Sequence, residues 1–360
     1  MIKLFVLLKV KLFIGKVEVR RIIKMKKLLG IILATVLLAV TTACGTDQTV
    51  STDNVAADEE VVVNIGTMNL VNGDLIAQYE KYYENEIGAK VNIVSFDSGK
   101  DVNTAIASGS IDISELGSSP TALGISSDVD YQVFWIGDII GAAESLVVKN
   151  DSGISSVADL KGKKVATPFA STGHYSLLNA LKLEGVSESD VTLLDLQPDD
   201  IYAAWIRGDI DAAYVWYPVL GNLLEDGTII TGSDKLAEQG VITADLNVVR
   251  TEFAEQHPDI VTNYVKAQIK ANDILLDDPD TAADEISQVL EISKDDAASQ
   301  ITQFVYLKAE DQLDYLNNKI GDTLKSTADF LVEQDSIKSA PDLDTFKSKV
   351  NTKFIEEAIK

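Results

Sequence analysis

Two stretches of this chain, far apart in sequence, repeat one order of signals, and that repetition constrains the fold more than any other feature. Ala105-Ile-Ala-Ser-Gly109-Ser-Ile-Asp112-Ile-Ser-Glu-Leu-Gly-Ser-Ser-Pro120 and Ala204-Trp-Ile-Arg-Gly208-Asp-Ile-Asp211-Ala-Ala-Tyr-Val-Trp-Tyr-Pro218 each read as a helix end, a glycine stop, Ile-Asp, a buried strand and a proline. Glycine suits the left-handed residue that closes a helix, and a short apolar run bounded by turn residues suits a buried strand. Around each copy, strands alternate with helices: strands over 61–66 and 90–96 with helices over 75–87 and 99–108, then a strand over 163–167 with a helix over 176–182. Such alternation builds a parallel sheet with crossover helices. The expected class is α/β, with two lobes of like construction and a ligand in the cleft outside the carboxyl ends of the strands.

The turns at those strand ends carry the candidate chemistry. Residues 167–178 pass from strand to helix through Ser171, Thr172 and Gly173, and Gly117-Ser-Ser-Pro120 does the same in the first copy, through Ser118 and Ser119. A helix start offers free N–H groups and the positive end of the helix dipole, so each turn is either a plain cap or part of an anion site. Strands over 144–149 and 245–250 are expected to cross between the lobes, which puts Glu144 and Asp245 where a carboxylate can meet a cation in the cleft. Tyr175, Trp205, Tyr214 and Trp216 read as core aromatics or as a wall against a short aliphatic ligand. From 253 onward the pattern is mainly helical, with a helix start at His257-Pro258 and a capped one at Ser293.

Several function classes lack support. With two histidines, His174 and His257, and no Gly-x-Ser-x-Gly, a Ser-His-Asp triad would rest on His174 alone. No phosphate-binding loop, His-Glu-x-x-His pair or EF-hand loop occurs, so no cofactor and no metal are expected. Residues 1–43 hold nine of the 31 basic residues and one of the 56 acidic ones, leaving a net charge of −33 on the remainder. Such a surface repels phosphate backbones and anionic headgroups, which excludes nucleic acid as a partner.

The amino-terminal region reads as an export signal. Lys26-Lys27 and the apolar run 28–40 form the n- and h-regions of a signal peptide covering 1–43, with 1–24 either an upstream start assigned in error or a long n-region. Thr41-Thr-Ala-Cys44 resembles a lipobox, which makes the single cysteine a lipidation site at the mature terminus. Residues 44–60 then form a polar, acidic tether. The folded part is divided as 61–147 and 246–360 in lobe one and 148–245 in lobe two.

Several motifs together carry a family resemblance. Phe96-Asp-Ser-Gly99, Gly117-Ser-Ser-Pro120, Pro168-Phe-x-Ser171-Thr172-x-His174-Tyr175-Ser176-Leu-Leu, Leu196-Gln197-Pro198, Ala203-Ala-Trp205-x-Arg207-Gly208 and Asp211-x-Ala-Tyr214-Val-Trp216-x-Pro218 resemble the taurine- and alkanesulfonate-binding family of ABC importers. The resemblance runs from about Val61 to Ala328-Asp-Phe-Leu-Val-Glu-Gln334. It implies a two-lobed type II periplasmic-binding-protein fold that hinges shut on its ligand, and a monomer working with a permease and its ATPase subunit. It also implies that Asp245 holds the taurine amine. Asn247 stands where members often carry Trp, and Gly173 where they carry Thr or Ser.

The expected site is Ser118, Ser119, Glu144, Ser171, Thr172, His174, Tyr175, Gln197, Trp205, Trp216 and Asp245. The expected function is capture of taurine by a lipid-anchored, outward-facing binding protein without catalysis. The alternatives are a binder of other alkanesulfonates or small anions, and an enzyme on the same fold acting on a pyrimidine precursor through His174.

Overall fold

A computed structural model describes residues 61–360; the expected signal peptide, Cys44 and the expected tether lie outside the described residues. The chain lays down β1 (Val62–Thr67), β2 (Lys90–Ser95), β3 (Ile113–Gly117) and β4 (Tyr131–Ile140). It continues with β5 (Glu144–Lys149), β6 (Lys164–Thr167), β7 (Thr192–Asp195), β8 (Ala212–Trp216) and β9 (Gly227–Gly232), and returns with β10 (Ala244–Arg250) and β11 (Phe304–Val305). Two sheets result, in the orders β11-β4-β10-β3-β1-β2 and β7-β6-β8-β5-β9.

The two sheets share one plan. In the first, β3 lies between parallel β1 and antiparallel β10; in the second, β8 lies between parallel β6 and antiparallel β5. β10 and β5 are therefore equivalent, each inserted antiparallel beside the third strand of its lobe. This is the two-lobed type II architecture. Sheet membership differs by a few residues from the expected division. β5 pairs along its length with β8 and β9, so all of it belongs to the second sheet, and Asp245 belongs to the first through β3 and β4.

Four helices pack around the first sheet's parallel strands and the cleft: α1 (Gly73–Tyr79), α2 (Tyr82–Glu86), α3 (Gly99–Ala107) and α4 (Ser118–Ser126). α5 (Thr172–Leu183) and α6 (Pro198–Arg207) serve the second sheet. The single helix expected over 75–87 is broken at Lys81, whose φ of 57° is left-handed. After the break Tyr83 points inward, hydrogen-bonded to Asp74 and stacked on Tyr264 with ring centroids 4.9 Å apart. β9, an edge strand of the second sheet, had no counterpart in the sequence reading.

The repeated Ile-Asp acquires a definite job in each lobe. Helices α3 and α6 both end at a glycine with positive φ nearby, 74° at Gly109 and 73° at Gly208. Ile111 and Ile210 are buried. Asp112 Oδ2 accepts the Asn64 N–H of β1 at 2.9 Å, and Asp211 Oδ2 accepts the Lys164 N–H of β6 at 2.8 Å. Each Asp thus ties the approach to the third strand to the first strand of its own sheet.

Most of the chain after β10 is helical and packs on the first sheet's core. Phe330, from the helix Gly321–Glu333, instead enters the second lobe's hydrophobic cluster and meets Tyr175 edge-on at 4.9 Å. Among the described residues no helix is long and apolar enough to cross a membrane.

Candidate binding cleft between the two lobes

A cleft with about 410 Å³ of space free of protein atoms, open solvent included, lies where the strands of both sheets end. From the first lobe it is lined by Met68, Leu70, Gly99, Gly117, Pro120, Ile140, Asp245 and Phe304. The second lobe contributes Glu144, Ser171, Thr172 and Trp216, with Ala143 on the connection. The lobes approach closely here. A Cβ built on Gly117 would stand 2.7 Å from Thr172 Cγ2, so only glycine lets the end of β3 meet the start of α5.

Two carboxylates face this space from equivalent positions. Glu144 on β5 pairs with Trp216, the last residue of β8, and Asp245 on β10 pairs with Gly117, the last residue of β3. Glu144 is 1% exposed and Asp245 5%. Burial pushes Glu144 up to about 8, against the Thr172 hydroxyl that favours its charge and with the nearby Asp245 raising it further. Asp245 is pushed up by burial to about 7, while a hydrogen bond from Asp138 pulls the other way. None of the ion pairs among the described residues involves either group. Two buried carboxylates sharing one cavity without a basic partner make a site complementary to a cation.

The hydroxyl-rich turns divide their work. Ser171 caps α5: its Oγ accepts the His174 N–H at 3.1 Å and donates to the Pro168 carbonyl at 2.6 Å. Thr172 Oγ1 donates to Glu144 Oε1 at 2.6 Å, the Gly173 N–H joins it, and Ser233 Oγ donates to Oε2 at 3.3 Å. The start of α5, expected to cradle a ligand anion, therefore already holds the Glu144 carboxylate. At the start of α4, Ser118 Oγ accepts the Ala244 N–H at 3.3 Å, and Ser119 Oγ is buried without a partner between the lining residues Gly117 and Pro120 in sequence.

The remaining expected residues lie away from the cavity wall. Trp205 is fully buried in the second lobe's other cluster, its Nε1 donating to Asp226 at 2.6 Å and its ring under Lys149 Nζ at 4.7 Å. It is a core residue, held there because a tryptophan in the last turn of α6 packs into the second lobe's core. Tyr175 faces Phe330 in a separate groove with Lys182 and Glu333. Gln197 precedes α6 beside the outer strand β7, its Oε1 buried and unpartnered. His174 stacks on Phe169 at 4.4 Å and accepts the Ala170 N–H at Nδ1; burial pushes its imidazole down to about 4. Of the eleven expected residues, Glu144, Ser171, Thr172, Trp216 and Asp245 line the cavity.

Sequence reasoning missed the acids behind Asp245. Asp138 on β4 is the direct cross-strand partner of Asp245, and Glu115 on β3 and Asp74 on α1 continue the cluster inward, all buried. The available signal was a lone carboxylate inside an apolar strand, Phe134-Trp-Ile-Gly-Asp138-Ile-Ile. Among the described residues, no group of three or more His, Cys, Asp or Glu is arranged to hold a metal ion.

Two lobes on one plan, closed around a cavity that takes a carboxylate from each, define a bilobal solute-binding protein. Residues 69–282 match the NMT1/THI5-like family, and the chain belongs to it. More particularly, it is 37% identical over 287 residues to the taurine-binding periplasmic protein of Escherichia coli (strain K12), covering 78% of this chain and 88% of that protein. In structure it is similar to the alkanesulfonate-binding protein SsuA from Xanthomonas axonopodis pv. citri bound to MOPS, with a TM-score of 0.68 at 22% identity over 82% of this chain and 100% of that one. The desulfurization enzyme DSZB shares the fold as well, with a TM-score of 0.62 at 15% identity over 83% and 98% of the two chains. The fold by itself therefore accommodates both binding and catalysis.

Proposed function

We propose that this protein captures taurine outside the cytoplasm and delivers it, as the monomeric substrate-binding component of an ABC importer, to a permease and its ATPase subunit. The observation that carries the reading is the pair Glu144 and Asp245, set at equivalent places in the two lobes and facing one cavity. Taurine is a short zwitterion. Its ammonium would sit between the two carboxylates, and charge-assisted hydrogen bonds of about 1.5–3 kcal/mol each make that end selective. Its sulfonate accepts hydrogen bonds only, which suits the start of α4 with the unpartnered Ser119 Oγ. Ile140, Trp216 and Phe304 would flank the two methylenes. The Escherichia coli relative carries taurine binding in its name, which supports the same ligand here. We also propose that Cys44 is lipidated and tethers the protein to the membrane, and that the lobes divide near 141–143 and 240–243, where the chain passes between sheets. Release of the protein from membranes on Cys44→Ala supports the anchor, and continued tight association contradicts it.

A thermal-shift panel of taurine, ethanesulfonate, sulfate, nitrate and amino acids tests the ligand. At a hundredfold over its dissociation constant a ligand adds about 2.7 kcal/mol of stability, so taurine should give the largest shift. A larger shift from ethanesulfonate would move the reading to simple alkanesulfonates. The enzymatic reading has less support: His174 Nε2 has no partner, and Ser171 Oγ donates to a backbone carbonyl instead of to the imidazole. Consumption of taurine by the purified protein would overturn the binding reading.

A further inference from the structure

We infer that Asp138 is a positioning residue for the ammonium site: it keeps its proton and donates it to Asp245, so that Asp245 alone meets the ligand as the anion. This rests on the reading of Asp245 as the partner of the taurine ammonium.

The geometry begins with the strand register. Asp138 and Asp245 sit directly opposite each other on β4 and β10, next to a bulge at Asp245/Leu246, so two buried carboxyls face each other across the strand pair within reach of a shared hydrogen bond, with Asn72 on Asp138 Oδ2 and Oδ1 otherwise unpartnered. A bond between them needs one shared proton, since two carboxylates offer acceptors only. Asp138 is completely buried behind the cavity wall, whereas Asp245 lines the cavity.

Asn72 fixes the rest of the arrangement. Its Oδ1 caps α1 by accepting the Asp74 N–H at 3.0 Å, and its Nδ2 donates to Asp138 Oδ2 at 3.0 Å and to Glu115 Oε1 at 2.5 Å. Both amide hydrogens are thus committed, and Asp138 Oδ1 and Glu115 Oε2 are left with no donor. The titratable groups facing Asp138 are Asp245 on β10, Glu144 on β5, Glu115 on β3 and the Tyr306 hydroxyl, which donates to the Val71 carbonyl; Asp74 on α1 faces Glu115. All are acids or a phenol. Burial pushes Asp138 well above the usual carboxylate range, and the bond to Asp245 pushes it further while pulling Asp245 down. The proton therefore stays on the inner acid, and the outer one is left to ionise near neutral pH.

This arrangement couples binding to protons. An ammonium between Glu144 and Asp245 favours their ionised forms, so taurine expels whatever protons they hold and its affinity rises with pH through about 8, where Glu144 is half ionised in the free protein. Removing the donor on Asp138 would push Asp245 higher and displace that rise. Exchanging it for an amide would not, because Asn still supplies an N–H.

The test is calorimetric titration of wild type, Asp138→Asn, Asp138→Ala and Asp245→Asn with taurine and with ethanesulfonate, across the neutral range and in buffers of different ionisation enthalpy. Wild type and Asp138→Asn should show the same pH profile, within about threefold, and release the same number of protons on binding taurine. Asp138→Ala should bind taurine about tenfold more weakly at neutral pH and recover as the pH is raised by one unit or so, a displacement of about one pKa unit. An unmoved profile in Asp138→Ala overturns the inference. So does reduced proton release in Asp138→Asn, which would mean that Asp138 carries the charge; this readout holds even if the alanine variant does not fold. Failure of the underlying reading looks different: wild type would then show no preference for taurine over ethanesulfonate, or Asp245→Asn would keep it.

Discussion

The two carboxylates of the cleft stand at the same place in two copies of one architecture, yet they are held in opposite ways. Glu144 rests on donors: the Thr172 and Ser233 hydroxyls and the Gly173 N–H at the start of α5. Asp245 rests on another acid, Asp138, with Asn72 and Glu115 behind it. The difference arises at the helix that follows the first strand of each lobe. In the second lobe that helix starts with Ser171-Thr172, whose side chains reach its own cap and Glu144. In the first lobe it starts after Asn72, whose amide turns to the inner carboxyls instead. One skeleton thus yields a donor-backed carboxylate and an acid-backed one. A single cation between them gains from both, and the oxygen of Asp245 has less competition for it.

That contrast ranks the expected effects. Asp245→Asn should weaken taurine about a hundredfold or more by titration calorimetry, the loss of a buried charge pair being worth about 2–5 kcal/mol, while ethanesulfonate changes little. Glu144→Gln should cost less, about tenfold, since its oxygens are already shared with Thr172, Ser233 and Gly173. Equal losses would erase the distinction between the two corners.

Ser119→Ala should weaken taurine and ethanesulfonate alike, about tenfold each, because the sulfonate is common to both and a hydrogen bond to a charged group is worth about 1.5 kcal/mol or more. Selective loss of taurine alone would move the sulfonate elsewhere. Smallest of all, Trp205→Phe should leave taurine affinity within about twofold while lowering the melting temperature, the expected signature of a core residue.

Stability should follow pH in a way fixed by the same pair. Both acids have folded values raised above their ordinary 4.5 and 3.8, to about 8 and about 7. The folded protein then binds more protons than the unfolded chain, so the contribution of these groups is fully present below about pH 4 and is lost as pH rises through about 7 to 8. Taurine opposes the loss, so its thermal shift should grow between mildly acidic and mildly basic buffer; a shift that shrinks over that interval would contradict the carboxylate pair.

Much of this was legible in the sequence, for identifiable reasons. The helix-glycine-Ile-Asp-strand repeat survives because Gly109 and Gly208 close helices with positive φ, a local requirement, and because Asp112 and Asp211 make the same bond to the neighbouring strand in each lobe. Glu144 and Asp245 were visible as charges on strands expected to cross between lobes, each of which instead pairs within one sheet. What sequence could not separate was direction. Trp205 and Trp216 lie in one motif, but a helix turned the first into the core and a strand end turned the second toward the cleft. His174 and Tyr175 follow the cap of α5, and the helical turn carries them away from the cavity wall. Asp138 and Phe304 join the site only through strand register, since β4 brings one against Asp245 and β11 sets the other beside Ile140.

The most direct test is titration of the Glu144→Gln/Asp245→Asn double variant with taurine and ethanesulfonate at about pH 8, where both native acids can ionise around an ammonium. If one carboxylate from each lobe recognises the amine, taurine affinity falls to that of ethanesulfonate, and ethanesulfonate still binds. A double variant that keeps its preference for taurine would contradict the assignment.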